Sequence, residues 1–295
     1  MKIVNIAGGL GNQMFQYAFA LGLKNHFKQE RIIIDVSTFK GLKIAREFEL
    51  ANVFDIELEV ATPKELRQVT YYSSNPRIRA IMHKVLGPRK TEYKEPRLFS
   101  YWGEETYSIN GNCYYTGSWQ NEKYFRNSEA LVRKAFVFKS PLDERNVKLL
   151  EQIQECESVS IHVRRGDYLN YPFYQGICDL PYYKNAISYI IAHVKNPRFF
   201  VFSTDTEWCQ ENIAPLLSPH QCSIVNWNEG KESYKDMQLM SCCAHNIIAH
   251  SSFSWWSAWL NVNPKKIVVA PTEWFKRADI TDTPQLEEWK LVDNK

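Results

Sequence analysis

The sequence predicts an α/β protein made of two domains, each organised on a parallel β-sheet. Three observations carry that prediction. The chain has 295 residues, 44% hydrophobic and 23% charged, which is ordinary globular composition with room for two domains. Its first 36 residues read as strand, glycine-rich loop, helix and strand, a βαβ unit whose crossover should be right-handed. After residue 158, five short apolar strands alternate with helices, the pattern of a doubly wound parallel sheet.

Each element follows from local pattern. Residues 2–7 are apolar enough for a strand, and Gly8-Gly9-Leu10-Gly11-Asn12-Gln13 is a glycine-rich turn. Met14, Tyr17, Ala18 and Leu21 recur at helical spacing up to about Phe27, and residues 31–36 form a second strand. Residues 37–110 yield little chemistry. They hold a helix at Thr62–Val69, with Thr62 as cap, Pro63 at the first position and Glu65 closing a capping box, and then a basic stretch, Arg77–Lys94. Residues 113–119 read as strand and turn, and 124–138 as a helix followed by an extended piece. Ser140-Pro141 breaks the pattern before a helix at 142–154. The domains are therefore drawn as 1–150 and 151–295, with the last ~20 residues expected to pack back on the first. In the second domain, strands at 158–163, 198–203, 222–226, 245–249 and 266–270 alternate with helices at 181–194, 207–213, 232–242 and 254–261.

Composition excludes several classes. A net charge of +3, with no cluster of five or six basic residues, argues against a nucleic-acid binder. The seven cysteines are odd in number and irregular in spacing, which disfavours a disulfide framework or a zinc site and fits a reducing compartment. The N-terminal apolar run is too short for a signal peptide, and no window approaches a membrane span. The many aromatics (9 Trp, 16 Tyr) are read first as core filling and second as sugar platforms.

Polar groups collect where strands end, the place where open α/β sheets bind ligands. The strand at 158–163 carries His162 near its end and runs into Arg164-Arg165-Gly166-Asp167. Two guanidinium groups there point to an anion, since they stay charged and can grip phosphate bidentately. Ser203-Thr204-Asp205 follows the next strand; Asp205 suits ribose or guanine, or caps the helix behind it. Asp205-Thr206-Glu207 resembles a metal clamp, but the arginines could neutralise a diphosphate without one. Ser251-Ser252-Phe253-Ser254-Trp255-Trp256 enters a helix whose free N–H groups favour phosphate. Gly9-Leu10-Gly11, with Asp35 ending the next strand, matches a dinucleotide fingerprint only in part, because Met14 stands where a third glycine belongs. Asn12 and Gln13 suit a sugar hydroxyl or a phosphate.

Taken together, Gly8–Tyr17, His162–Tyr168, Phe202–Asp205 with Trp208, and Ser251–Trp256 resemble the bacterial α-1,2-fucosyltransferases, glycosyltransferase family 11. The resemblance implies a GT-B fold, two Rossmann-like domains facing across a cleft, with GDP-β-L-fucose as donor and no metal or other cofactor. It implies inverting transfer to the 2-hydroxyl of a terminal β-galactoside, on an oligosaccharide or a lipid-linked glycan. It implies a cytoplasmic location, with peripheral contact at the inner face of a membrane as an option. Donor contacts are then expected from Gly11, Asn12, Gln13, Arg164, Arg165, Ser203, Asp205, Ser251, Ser252, Phe253 and Ser254, with Arg165 first on the diphosphate and Arg164 second. Asp167 is the first candidate for the base and His162 the second; Asp167 serves equally well as a salt-bridge partner that orients Arg165. Rival readings are an α-1,6 linkage, a nucleotide-dependent oxidoreductase using Asp35, and a sugar-nucleotide-binding protein without turnover.

Overall fold

The structure is a computed structural model. It describes residues 1–39, 47–73, 76–277, 280 and 282–294, without the side chains at 76, 167 and 169. The chain divides after Ser140 into two compact units.

In the first unit, β1 (Lys2–Asn5), β2 (Ile32–Asp35), β3 (Glu92–Lys94) and β4 (Cys113–Thr116) form one parallel sheet in the order β2-β1-β4-β3. The helix Leu10–His26 begins inside the glycine-rich turn rather than at Met14. Its apolar face, with Met14, Phe15, Ala18, Phe19 and Leu23, is buried. Phe19 stacks on Trp119 with centroids 4.0 Å apart. At Gly22 the helix passes so close to the Tyr124 carbonyl that a Cβ would sit 2.2 Å from that oxygen. Gly22→Ala is expected to destabilise this unit by ~1–3 kcal/mol through overpacking, read as a lower denaturation midpoint at unchanged slope. The helix Pro63–Val69 carries the expected reciprocal capping box of Thr62 and Glu65.

In the second unit, β5 (Ser158–Val163), β6 (Arg198–Ser203), β7 (Cys222–Val225), β8 (His245–Ile247), β9 (Val268–Pro271) and β10 (Lys290–Val292) are all parallel, in the order β10-β9-β8-β5-β6-β7. The chain runs outward from β5 to β7, returns to the other side of β5 and runs outward again, so the order reverses between β5 and β8. All six residues of β5 are buried, as expected of a central strand covered on both faces. The helix Glu144–Gln154, drawn in the first domain up to residue 150, belongs to this unit. Its Leu149 and Ile153 pack with Phe200 and Phe202, and its Asn146 bonds Asn228 and Trp227. Within the stretch expected to return to the first domain, Lys290–Val292 adds a strand beside β9.

Candidate active site

The reversal between β5 and β8 is a topological switch point, where the loops from neighbouring strand ends diverge and leave a crevice. Two of the three loops of this unit expected to carry chemistry start there; the third, Ser203-Thr204-Asp205, follows β6. From β5 come His162, Arg164 and Arg165; from β8 come His250, Ser251 and the helix Ser252–Leu260.

The two arginines do different things. Arg165 donates from Nε to Asp205 Oδ2 at 3.0 Å, and its guanidinium lies 4.2 Å from the centre of the Trp208 ring. Asp205 accepts from the Trp208 amide through Oδ1, so it caps the short helix Thr206–Asn212 while anchoring Arg165. Ser203 accepts from the Asp205 amide through Oγ. Arg165, Ser203, Asp205 and Trp208 are thus one bonded group on the β6 side. Asp205 is a salt-bridge partner of Arg165, and the Asp167 side chain, expected as base or as such a partner, lies outside the described residues. Arg164 instead stands 5.1 Å from the Tyr168 ring, and its positive charge acts on both His162 and His250.

Those two imidazoles are buried. Burial, then Arg164, then His250 push the His162 pKa down to about 3; burial, then Arg164 and Lys276, push His250 down to about 3. Both are neutral at working pH. His250 Nδ1 is 3.1 Å from Cys178 Sγ, and among the described residues neither its Nε2 nor His162 Nδ1 has a side-chain hydrogen-bond partner, while the Tyr174 backbone acts on the His250 ring. The His162 ring is 5.7 Å from that of Phe253. Among the serines, Ser251 caps the helix by accepting from the Phe253 amide, and Ser254 is buried, donating its hydroxyl to Ala249 and Ser251 carbonyls. Ser252 and Phe253 are half-buried at the helix start.

The first unit has its own reversal, between β1 and β4. Gly8 takes φ +82°, and the Asn12 amide folds over it so closely that a Cβ would lie 2.8 Å away. Asn12 Oδ1 accepts from Gln120 Nε2 at 2.9 Å. Gln16 ties the two loops together, accepting from the Ala7 amide and donating to the Gly117 carbonyl. Gln13 is not available to a ligand: it is buried, donating to Gly8 and Glu47 carbonyls and accepting from the Glu49 amide. Gly11 is buried within the helix. The amides of Asn12 and Gln13 both bond back to Gly9, so they do not form a pyrophosphate cradle. Asp35, the ribose acid of the oxidoreductase reading, is buried with its carboxylate held by the Ser37 amide and the Tyr114 hydroxyl.

Sequence reasoning missed a cavity of about 280 Å³ in this unit. Asn5, Lys94 and Thr116, the last residues of β1, β3 and β4, line it, and Arg79 and His83 reach it from the helix Pro76–Leu86. Its one carboxylate, Glu92, is occupied by Thr70, His83 and the Arg89 amide. The missed signal is that strand-end residues at 5, 94 and 116 only become neighbours once β4 inserts beside β1.

The sequence profile of glycosyl transferase family 11 matches residues 1–292. An α-1,2-colitosyltransferase of Escherichia coli is 33% identical over 99% of this chain and 98% of its own length. The O-antigen biosynthesis glycosyltransferase WbnK of Escherichia coli is 33% identical over 92% of this chain and 93% of its own. Human galactoside α-(1,2)-fucosyltransferase 1 is 27% identical over 86% of this chain and 63% of its own. Among solved structures, an Arabidopsis thaliana FUT1 variant in complex with GDP superposes with a TM-score of 0.48 at 14% identity, covering 90% of this chain and 69% of that one. With a family match running almost end to end and two bacterial relatives aligned along nearly their full length, this chain belongs to glycosyl transferase family 11.

Proposed function

We propose that the protein transfers L-fucose from GDP-β-L-fucose to the 2-hydroxyl of a terminal β-galactoside, with inversion and without a metal. The observation that carries the reading is the switch point of the second sheet. An arginine, a helix N-terminus and two neutral, incompletely bonded imidazoles belong to the two loops that diverge there. When the sugar–phosphate bond breaks, negative charge grows on the β-phosphate. Donors already aimed at that oxygen stabilise the transition state more than the ground state.

The arginines take a new order in this reading. Arg164 meets the diphosphate, and Arg165 is held by Asp205 and Trp208 as a wall of the nucleoside site. The support is the proximity of Arg164 to both strand-end histidines, and the placement of Arg165 between Asp205 and Trp208 on the β6 side. A groove of about 450 Å³ lined by Thr206, Glu207, Gln210 and Asn226 lies on the helix that Asp205 caps and is large enough for part of a nucleoside. A base at the acceptor hydroxyl is Asp167. His162 is too weakly basic for that task, because a group with a pKa near 3 has little drive to take a proton at neutral pH. The acceptor galactose is assigned to the cavity at the ends of β1, β3 and β4, whose volume fits about one sugar ring.

Colitose, which is fucose lacking its 3-hydroxyl, is the second donor reading, favoured by the colitosyltransferase relative at 33% identity. The test is incubation with GDP-fucose or GDP-colitose and a panel of β-galactosides in EDTA, with NMR of the product linkage. The expected product is an α-1,2-fucosyl galactoside, and GDP should raise the thermal midpoint where UDP and ADP do so far less. A β-anomeric product, a different linkage, or turnover that needs added Mn²⁺ would sink the corresponding part of the reading.

A further inference from the structure

The helix Pro76–Leu86 has two working faces. Arg79 and His83 line the cavity beneath it. On the outward side Ile78, Ile81 and Val85 are 48%, 61% and 72% exposed, and Leu86 at the end is 60% exposed. Spacings of three and four residues put the first three on a single stripe. Arg77 and Lys84, both exposed and seven residues apart, run along one edge of it. Four large apolar side chains on one short helix form a contiguous patch, which differs from scattered surface leucines and marks an interaction surface.

The charge around the stripe identifies the partner. Residues 76–94 contain six basic residues against the single carboxylate Glu92, a local +5 in a chain of +3. Arg79 and Lys94 line the cavity and Arg89 bonds the Arg67 and Thr70 carbonyls, while Arg77, Lys84 and Lys90 are exposed and lie outside the cavity lining. Glu92 is enclosed by Thr70, His83 and the Arg89 amide and does not offset the outer face. A second copy of the chain would bring the same exposed cations, Arg77, Lys84 and Lys90, against their own kind. A helix of 11 residues also offers far less area than a stable dimer buries. An apolar stripe bordered by cations is the pattern that lies in the plane of an anionic bilayer, with the aliphatic groups at the acyl boundary and the ammonium and guanidinium groups among phosphates.

We propose that the outer face of helix Pro76–Leu86, bearing Ile78, Ile81 and Val85 between basic flanks, docks on an anionic lipid surface. This goes beyond the transferase reading and stands without it. With that reading, only the thickness of this helix separates the acceptor cavity from the membrane, within reach of the sugar of a lipid-linked glycan.

The experiment is co-sedimentation of the full chain with phosphatidylcholine vesicles and with vesicles containing about one third phosphatidylglycerol, at low and high salt. Wild type is expected to bind the anionic vesicles, to release as salt rises, and to ignore neutral ones. Ile81→Glu/Val85→Glu and Arg77→Glu/Lys84→Glu should each weaken binding at least about tenfold. All four positions are exposed, and unchanged thermal midpoints would verify the fold. No binding to either vesicle, equal binding to both, or variants that bind like wild type would overturn the proposal. So would a dimer in sedimentation velocity that Ile81→Glu/Val85→Glu dissolves in a protein that ignores vesicles, because the stripe would then serve a second copy.

Discussion

Arg164→Ala is expected to lower kcat/KM by ~10³ while leaving the thermal midpoint within a degree or two, and Arg165→Ala to lower it by only ~10–100. The difference follows from what each side chain is already doing. Arg165 is bound to Asp205 and stacked on Trp208, so its loss uncaps a wall and releases a carboxylate. Arg164 supplies its charge at the crevice between β5 and β8, beside His162 and His250. A donor removed from the leaving phosphate takes transition-state stabilisation with it, which appears in kcat as well as KM. Arg164→Lys should recover only part of the loss, because an ammonium keeps the charge but not the planar fork. Steady-state kinetics with varied GDP-fucose read all three variants. Equal losses at 164 and 165, or a larger loss at 165, would return the main contact to Arg165.

Acid should act on the two units in opposite directions. His162 and His250 have folded-state pKa values of about 3 against an ordinary value of 6.5. A depressed histidine contributes stability that is complete above pH 6.5 and is lost as pH falls, because the unfolded chain takes up the proton and the folded chain does not. At pH 5 each has lost about 2 kcal/mol. Asp236, in the same unit, is raised by burial to about 7 and works the other way, returning about 2 kcal/mol over the same interval. The net for the second unit is a loss of about 2 kcal/mol between pH 7 and pH 5. Glu95, in the first unit, is raised by burial to about 7 against the pull of the Ser118 and Trp119 amides, so that unit gains about 2 kcal/mol. Hydrogen exchange, corrected for intrinsic rate, should then show protection of β5 and β8 peptides falling while that of β1 and β4 peptides rises. Parallel changes in the two sets would sink the prediction. His250→Asn should remove nearly all of the net response of β5 and β8, because the remaining loss from His162 is offset by Asp236.

Much of this architecture was legible because strong local signals agreed with the tertiary outcome. Alternating Val159, Ile161 and Val163 announced β5, and the polar run behind it named the crevice loop. Thr62, Pro63 and Glu65 announced a helix that carries the expected capping box. Residues whose role depends on partners far away in sequence were not legible. Gln13 looks like a ligand side chain until the Glu47 and Glu49 backbone is seen around it. Asp35 looks like a ribose acid until Tyr114, from a strand much later in the chain, takes its Oδ2. His250 gave no signal beyond standing at the end of a strand, since its weak basicity comes from burial and from Arg164. The helix Pro76–Leu86 was hidden by its charges: basic residues between apolar ones read as a solvated stretch until helical spacing gathers Ile78, Ile81 and Val85 on one side.

The division after Ser140 has a consequence for how such a chain can change. On the proposed reading, the main donor-handling side chains come from loops of a unit built wholly from residues 141–295, and the cavity assigned to the acceptor is closed by residues 5–116 alone. If that assignment holds, a relative's first 140 residues joined to this second unit are expected to keep the sugar that is handed over and exchange the glycan that receives it. On that reading, specificity toward each substrate can drift in its own half of the gene, and recombination near codon 140 is the shortest route to a new acceptor.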